Sequence, residues 1–182
     1  MTSRPHDRSA AWQRIGTEVS QVLENIDPLA FGNFTQVFRE QSRRWFFTGQ
    51  GRSGLVAEMA AMRFMHLGFE THVLGEATAP AVRNGDGLFI ISNSGTTPLS
   101  AAFAEIARTE GAMIVLLTSG PGSPLASLAD ATLTLASSPS EQFGGSLFEQ
   151  ASLIALDALV LELATADAAS YERMRRRHTN MQ

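Results

Sequence analysis

The segment WFFTGQGRSG, residues 45–54, decides the fold of this chain, because an apolar run ends there in a glycine-rich turn. A second segment of the same kind, LFIISNSGTT, spans residues 88–97. In both, the apolar run predicts a buried strand, and the polar turn after it predicts the start of a helix. Such strands are typical of parallel α/β sheets, in which ligands bind beyond the carboxyl ends of the strands. The two turns therefore predict two halves of one ligand pocket.

Both turns have the chemistry of an anion site. Glycines let the backbone approach a ligand closely, and the first N–H groups of a helix have no partner inside the helix, so a phosphate can accept from them. In the second turn Thr97 precedes Pro98, a pattern typical of a helix start. Hydroxyls beside free N–H groups can bind phosphate without lysine or metal. The predicted phosphate-binding residues are Gly51, Ser53, Ser92, Asn93, Ser94 and Thr97.

Roles other than sugar-phosphate binding fit these turns less well. Glycine-rich turns also join strands to helices without binding a ligand, but this chain has two of them. Residues 49–54 fit the spacing of a dinucleotide fingerprint, and Glu70 lies at about the required distance, yet nothing else resembles a nicotinamide-binding half. A Walker loop is excluded because no Gly-Lys-Ser/Thr sequence occurs. The turns therefore favour a small sugar phosphate as the ligand.

Composition excludes several reaction types. The chain has 182 residues, no cysteine and 14 basic residues, all of them arginine. Schiff-base, pyridoxal-phosphate and cysteine-nucleophile chemistry and thiolate metal sites are excluded, so catalysis must use carboxylate, imidazole, guanidinium or hydroxyl groups. A net charge of -4, a polar N-terminus without a signal peptide and the lack of a long apolar run predict no nucleic-acid or membrane partner. We expect a cytoplasmic protein.

The rest of the chain alternates helical and extended patterns. Residues 1–9 are expected to be flexible, and residues 10–182 to form a single domain. Apolar spacing predicts N-terminal helices over residues 10–25 and 29–41, which cover either their own sheet or a partner subunit. Strands are predicted at 44–48, 71–74, 87–92, 112–118 and 131–135, with helices at 53–66, at 98–110, from Pro124 and at 146–166. The arginine-rich tail at 173–177 is predicted either to be solvated or to pair with acidic groups across an interface. The alternation predicts an α/β fold with a mainly parallel sheet and helices on both faces.

The two turns resemble those of the sugar isomerase (SIS) domain. Four further segments resemble its 6-phospho-3-hexuloisomerase branch: MRFMHLGF (62–69), GEATAP (75–80), SLFE (146–149) and RHTN (177–180). The resemblance implies a three-layer sandwich with a five-stranded parallel sheet, assembled as a homotetramer with active sites between subunits. It also implies conversion of D-arabino-hex-3-ulose 6-phosphate to D-fructose 6-phosphate, a step of formaldehyde fixation in the ribulose monophosphate pathway, without metal or organic cofactor. The chain departs from the branch at Asn93, where glycine is common.

An enediolate route needs a base, a group that stabilises the oxyanion and a phosphate anchor. Glu149 is the predicted base, because it begins an apolar helix after a polar loop and should be partly desolvated. The alternative is a carboxylate that only complements the helix dipole. Arg52, on the first turn, is predicted to contact the phosphate or to stabilise the enediolate. Its alternative is a surface ion pair.

The resemblance suggests roles in the active site for three further residues. Thr78, which follows the strand at 71–74, is predicted to bind sugar hydroxyls, with a plain turn residue as the alternative. The family implies that the tail carrying His178 reaches the site of a neighbouring subunit, where the imidazole donates or carries a proton. His66 is either a buried structural histidine or part of the substrate pocket. The histidines and carboxylates show no metal-ligand spacing.

Two different functions stay open on sequence grounds. An aldose-ketose isomerase of the same fold, acting on arabinose or sedoheptulose phosphates, would move a proton between C1 and C2. A sugar-phosphate sensor would need no carboxylate base, but the chain shows no DNA-binding segment and is acidic. For the hexulose reaction, only fructose 6-phosphate closes a five-membered ring through O5, so only the reverse direction needs ring opening. His178 is the candidate for that role.

Overall fold

The computed structural model describes residues 10–40, 42–136, 138–165 and 169–181. Within these ranges the chain forms five strands: β1 (Trp45–Gly49), β2 (Thr71–Val73), β3 (Gly87–Ile91), β4 (Met113–Thr118) and β5 (Ala131–Thr134). The helices are α1 (Ala11–Glu24), α2 (Pro28–Gln36), α3 (Arg52–Leu67), α4 (Pro98–Thr109), α5 (Pro124–Leu128), α6 (Ser146–Thr165) and α7 (Ser170–Arg177). The predicted flexible segment 1–9 and the predicted last helical residue Ala166 lie outside the described residues.

The five strands form one parallel sheet in the order β2-β1-β3-β4-β5, which confirms the predicted α/β class. The chain moves one way across the sheet from β1 to β2 and the other way from β3 onward. The reversal therefore lies between β1 and β3, whose ends pair at Gly49 and Ile91. In open α/β sheets a ligand crevice forms beyond the carboxyl ends of the strands at such a reversal.

Helices cover both faces of the sheet. Phe47 and Phe89 point from one face into a core shared with α1, α2, α3 and α6. Phe46 and Leu88 point from the other face into a core shared with α4 and α5. This alternation of successive strand residues between the two faces gives three layers. The N-terminal helices contribute Val19, Val22 and Phe34 to the first core, so they cover their own sheet.

The second helix is shorter than the sequence predicts, because it ends at Gln36 rather than near residue 41. Phe38 leaves the helix and is completely buried. Its ring centroid lies 4.7 Å from that of Trp45, 5.0 Å from that of Phe64 and 5.5 Å from that of Phe89. These partners come from distant parts of the chain, so tertiary packing ends the helix where local periodicity would continue it.

The basic tail contains a helix that the sequence pattern does not predict. Residues 170–177 form α7, and Met174 packs on the main core. The guanidinium of Arg177 lies over Gly68, where an added Cβ would be 2.9 Å from Nη2. Gly68 ends α3, so the arginine complements the negative end of that helix dipole. Tyr171 and Met174 are the only large apolar residues of this helix, and two positions are too few for the apolar pattern to predict it.

Candidate active site

The first predicted phosphate turn depends on glycine. Gly51 precedes α3 with φ 59° and ψ -129°, a conformation that side chains oppose. A Cβ on Gly49 would lie 2.5 Å from the carbonyl oxygen of Ser53, so strand and helix touch through backbone alone. Because Gly51 has no side chain to cap α3, the N–H groups that open the helix can donate to an anion. Ser53 is buried in this opening turn.

The second turn brings hydroxyl groups together at the start of α4. The Oγ of Ser92 lies 3.3 Å from the Oγ1 of Thr97. Ser94 Oγ accepts hydrogen bonds from the N–H and the hydroxyl of Thr96, at 3.2 and 2.9 Å. Thr97 occupies the N-cap position before Pro98, as predicted, but its side chain makes no capping hydrogen bond. Its hydroxyl contacts Ser92 instead of the helix backbone, which leaves the helix start open to an anion.

The two turns lie side by side. They leave β1 and β3, whose last residues Gly49 and Ile91 are paired neighbours in the sheet, about 4.8 Å apart in the hydrogen-bonding direction. Two helix N-termini therefore face one crevice at the point where the strand order reverses. Both contribute positive dipole ends, so the crevice suits a doubly charged phosphate.

Arg52 and Glu149 meet at this crevice. Arg52 opens α3, Glu149 lies in the first turn of α6, and the Nε of Arg52 donates to the Oε2 of Glu149 at 2.7 Å. The carboxylate side chain is only 12% exposed, whereas the arginine side chain is 60% exposed. The position predicted for a base therefore holds a partly buried carboxylate paired with a cation that reaches the solvent.

Asn93 is a third polar residue at the crevice, beside Arg52 and Glu149. Its backbone oxygen accepts hydrogen bonds from the Ser119 N–H and from the hydroxyls of Thr118 and Ser119, each at 3.0 Å. Its side-chain Oδ1 accepts from the Ser119 hydroxyl. This leaves Nδ2 directed toward Gly145, where an added Cβ would lie 3.2 Å from Asn93 Nδ2 and 3.0 Å from Glu149 Oε1. The amide of Asn93 and the carboxylate of Glu149 thus border the same narrow space.

Ser119 is a site residue that was not predicted from the sequence. It follows β4 directly, so it lies at the same carboxyl edge of the sheet as the two turns. The signal was present, because a polar residue after a buried strand next to β3 belongs to this edge. Thr78 lies on the segment after β2, also at this edge, and it is exposed.

His66 and His178 lie elsewhere in the subunit. Their rings stack with centroids 5.2 Å apart and an interplanar angle of 16°. His66 is the penultimate residue of α3, fourteen residues after Arg52, which is about 21 Å along the helix axis. Burial, the neighbouring His178 and Arg63 lower the pKa of His66. One subunit therefore brings together Arg52, Asn93 and Glu149, and does not bring the histidines to them.

Two further features of the described residues concern metal binding and membrane insertion. Within these ranges no group of three or more histidine or acidic side chains is placed so that it could hold a metal ion. None of the described helices is long and apolar enough to cross a membrane.

Residues 39–162 match the family described as the SIS domain. The chain belongs to the SIS domain family. The match spans β1 to β5 and most of α6, and so includes both turns and the Arg52–Glu149 pair. The resemblance that the two turns indicated is therefore confirmed.

Relatives of this SIS chain include named enzymes. The 3-hexulose-6-phosphate isomerase of Mycobacterium gastri is 38% identical over 173 residues, which cover 91% of this chain and 86% of that protein. The 3-hexulose-6-phosphate isomerase of Bacillus subtilis strain 168 is 35% identical over 150 residues, covering 78% and 81%. A crystal structure of a hypothetical protein from Methanococcus jannaschii has a TM-score of 0.80 at 25% identity and covers 94% of this chain and 98% of its own. That structure was taken to infer a function of 3-hexulose-6-phosphate isomerase.

Proposed function

We propose that this protein is an isomerase that interconverts D-arabino-hex-3-ulose 6-phosphate and D-fructose 6-phosphate through an enediolate. The named relatives support the substrate, at 38% and 35% identity over most of the chain. The observation that carries the mechanism is the partly buried Glu149 carboxylate, 2.7 Å from Arg52 and beside two phosphate-type turns. A sensor would not need a carboxylate in that place, whereas proton transfer beside a ketone does.

In this proposal the two turns hold the substrate phosphate. Its oxygens accept from the N–H groups at the starts of α3 and α4, next to Gly51 and Ser53 on one side. The hydroxyls of Ser92, Ser94 and Thr97 and the amide of Asn93 add donors on the other side. Thr78, after the neighbouring strand β2, binds hydroxyls of the sugar. The phosphate anchor fixes the position of the C6 end of the substrate, and the carbon chain then places C2 and C3 near Glu149.

Glu149 is the proposed base. In the forward direction its carboxylate removes the proton from C2, giving the 2,3-enediolate, and returns a proton to C3. The hydroxyl proton passes from O2 to O3, so a carbonyl forms at C2 and the carboxylate is regenerated. Because Oε2 is bound to Arg52, Oε1 is the oxygen that takes the proton. The terminal nitrogens of Arg52 stabilise the negative charge on the enediolate.

We further propose a homotetramer with active sites shared between subunits. His178 stacks on His66, which lies about 21 Å from Arg52 along α3 of the same subunit, so the His178 that reaches the sugar belongs to a neighbouring subunit. There it donates a proton to O5 as the C2–O5 bond of cyclic fructose 6-phosphate breaks, while the O2 hydroxyl releases its proton to water and the carbonyl forms at C2. Exposed apolar side chains on α3 and α6 provide a surface for assembly: Leu55, Met59, Met62, Ile154 and Leu161.

Mixed oligomers test the shared site. Glu149→Gln and His178→Ala chains, each defective alone, are unfolded and refolded together, so that some sites combine an intact Glu149 with an intact His178. In a random mixture about a quarter of the sites are intact, and a corresponding fraction of the reverse activity should return. Activity no higher than that of the separate variants would contradict sharing, and sedimentation measures the number of subunits.

We also propose a domain organisation, a pathway and a cellular location for this protein. Residues 10–182 act as one SIS domain, because α1 and α7 pack on the same core as the sheet. The reaction serves formaldehyde assimilation through the ribulose monophosphate pathway in the cytoplasm, where sugar phosphates are made and consumed. The substrate named for the relatives supports this setting.

A substrate panel tests the proposed reaction. The purified protein is expected to convert arabino-hex-3-ulose 6-phosphate to fructose 6-phosphate and to leave arabinose 5-phosphate and sedoheptulose 7-phosphate unchanged. Conversion of an aldose phosphate would establish the C1–C2 reaction instead. Binding of sugar phosphates without conversion of any of them would indicate a sensor.

A further inference from the structure

The loop of residues 138–145 determines where the helix carrying Glu149 begins. The N–H of Glu149 donates to the carbonyl of Gly145 at 3.1 Å, and the hydroxyl of Ser146 donates to the carbonyl of Phe143 at 2.9 Å. Gly145 also lies directly against the carboxylate of Glu149 and the amide of Asn93. A displacement of this loop would therefore move the proposed base and one wall of the pocket together.

Glu18, on α1, binds three consecutive residues of this loop. Its Oε2 accepts hydrogen bonds from the Ser140 hydroxyl at 2.7 Å and from the Gln142 side-chain amide at 3.0 Å. Its Oε1 accepts from the N–H of Glu141 at 2.9 Å. Arg14, one turn earlier on α1, forms an ion pair with Glu141 at 3.1 Å. We call the contacts of Glu18 with residues 140–142 the Glu18 clamp.

Packing beneath the loop cannot replace the clamp. A cavity of about 80 Å³ lies between the loop and the core, bordered by Val22, Asn93, Ser119, Gly145 and Phe148. Ser140 and Glu141 are themselves exposed. A segment with few buried apolar contacts is held by its hydrogen bonds, and here the charged acceptor is Glu18. Burial raises the pKa of Glu18, but the hydrogen bonds from Glu141, Gln142 and Ser140 outweigh it and lower the pKa, so the carboxylate is charged at neutral pH.

We propose that Glu18 is a positioning residue, whose clamp on residues 140–142 fixes the loop that holds Glu149 and Asn93 in their places at the pocket. The inference rests on the proposed function for the role of Glu149. Glu18 itself touches no substrate. Its effect on the reaction runs through the loop, about 120 residues away in sequence.

Glu18→Gln tests the clamp. The amide keeps the shape but offers a single acceptor oxygen, so part of the clamp is lost. Misplacing a reacting group by about 1 Å can lower the reaction rate about a hundredfold. We therefore expect kcat of Glu18→Gln to fall by about tenfold or more. The backbone amides of residues 140–145 should exchange faster with deuterium, while those of β1 and β3 should not change. Glu24→Gln is the matched control, because Glu24 lies on the same helix and, among the residues that the structure describes, accepts a side-chain hydrogen bond only from nearby Ser20, at 2.8 Å.

A charge swap supplies a rescue. Gln142→Glu alone places a second carboxylate against Glu18, and it should also lower kcat. The double variant Glu18→Gln/Gln142→Glu restores an amide–carboxylate hydrogen bond with the roles reversed, so its kcat should exceed that of either single variant. If each substitution only damaged the fold, the two losses would add, and the double variant would have a lower kcat than either single variant.

Several results would overturn the proposal: wild-type kcat in Glu18→Gln, a lower kcat without faster exchange in the loop, or a double variant no better than the singles. Failure of the proposed function has a different signature. In that case the wild type does not convert hex-3-ulose 6-phosphate, or Glu149→Gln keeps the wild-type kcat, whereas the exchange of residues 140–145 in Glu18→Gln still reports whether the clamp holds the loop.

Discussion

Replacing Glu149 by glutamine separates a catalytic carboxylate from one that only complements a helix dipole. The amide keeps the side-chain shape and can still accept from Arg52, but it cannot remove a proton from carbon. The loss of a positioned base typically costs about a hundredfold to ten-thousandfold in rate, or about 3 to 5 kcal/mol of barrier. We expect kcat for hex-3-ulose 6-phosphate to fall within that range.

The effect of the same change on stability should be small. The Arg52 side chain is 60% exposed, so solvent screens its pairing with Glu149, and such a pair contributes about 0.2 to 1 kcal/mol. For a chain of this size, 1 kcal/mol corresponds to a thermal midpoint shift of about 2 to 4 °C. The activation free energy should therefore rise by about 3 to 5 kcal/mol. The free energy of unfolding, in contrast, should change by at most about 1 kcal/mol.

The assay compares initial rates and thermal midpoints of the wild type, Glu149→Gln and a control, Glu162→Gln. Glu162 lies on the same helix, but it is exposed and near the opposite end. The control should match the wild type in both measurements. A Glu149→Gln variant whose kcat stays within about threefold of the wild type would refute the assignment of Glu149 as base. A drop of several degrees in its midpoint would then identify it as a structural carboxylate.

Three other perturbations probe the phosphate turn and the histidines. His178→Ala should reduce the initial rate from fructose 6-phosphate more than the rate from hex-3-ulose 6-phosphate, and equal losses would count against ring opening by His178. Gly51→Ala meets no neighbouring atom but places a side chain at φ 59°, so it should lower the free energy of unfolding in urea by about 1 to 3 kcal/mol and raise KM. An unchanged KM would show that Gly51 does not contribute to phosphate binding. His66 has a lowered pKa in the folded protein, so the unfolded chain takes up a proton near pH 6.5 that the folded chain resists. The free energy of unfolding should therefore decrease as pH falls below about 6.5, and His66→Gln should flatten this dependence in thermal midpoints measured from pH 5 to 8. An identical slope in the variant would contradict this origin.

The sheet and the two turns could be predicted from sequence because their signals are local. The short apolar runs at the starts of β1 and β3 predicted buried strands because turn residues end each of them, and the glycines and hydroxyls that follow lie at the carboxyl edge of the sheet. The strand order was not predictable in this way, yet it is what places the two turns side by side. That order is decided by which strands pair, a property that periodicity within one segment does not contain.

The contacts that complete the site are long-range. Arg52 and Glu149 are 97 residues apart in sequence, and residue chemistry alone left each with a structural alternative. The contact between Asn93 and Ser119 and the Glu18 clamp join segments with no shared local pattern. Helix α7 was missed for a different reason, since two large apolar residues are too few to predict a helix, and the end of α2 depends on where Phe38 packs.

Hydrogen exchange at carbon tests the central claim most directly. Fructose 6-phosphate is incubated with the purified protein in deuterium oxide and followed by proton NMR, which reports the carbon from which the base removes a proton. The proposal predicts that the C3 proton signal disappears, and that Glu149→Gln slows its loss by the same factor as kcat. Exchange at C1 instead of C3, or no exchange at either carbon while the sugar phosphate still binds, would contradict it.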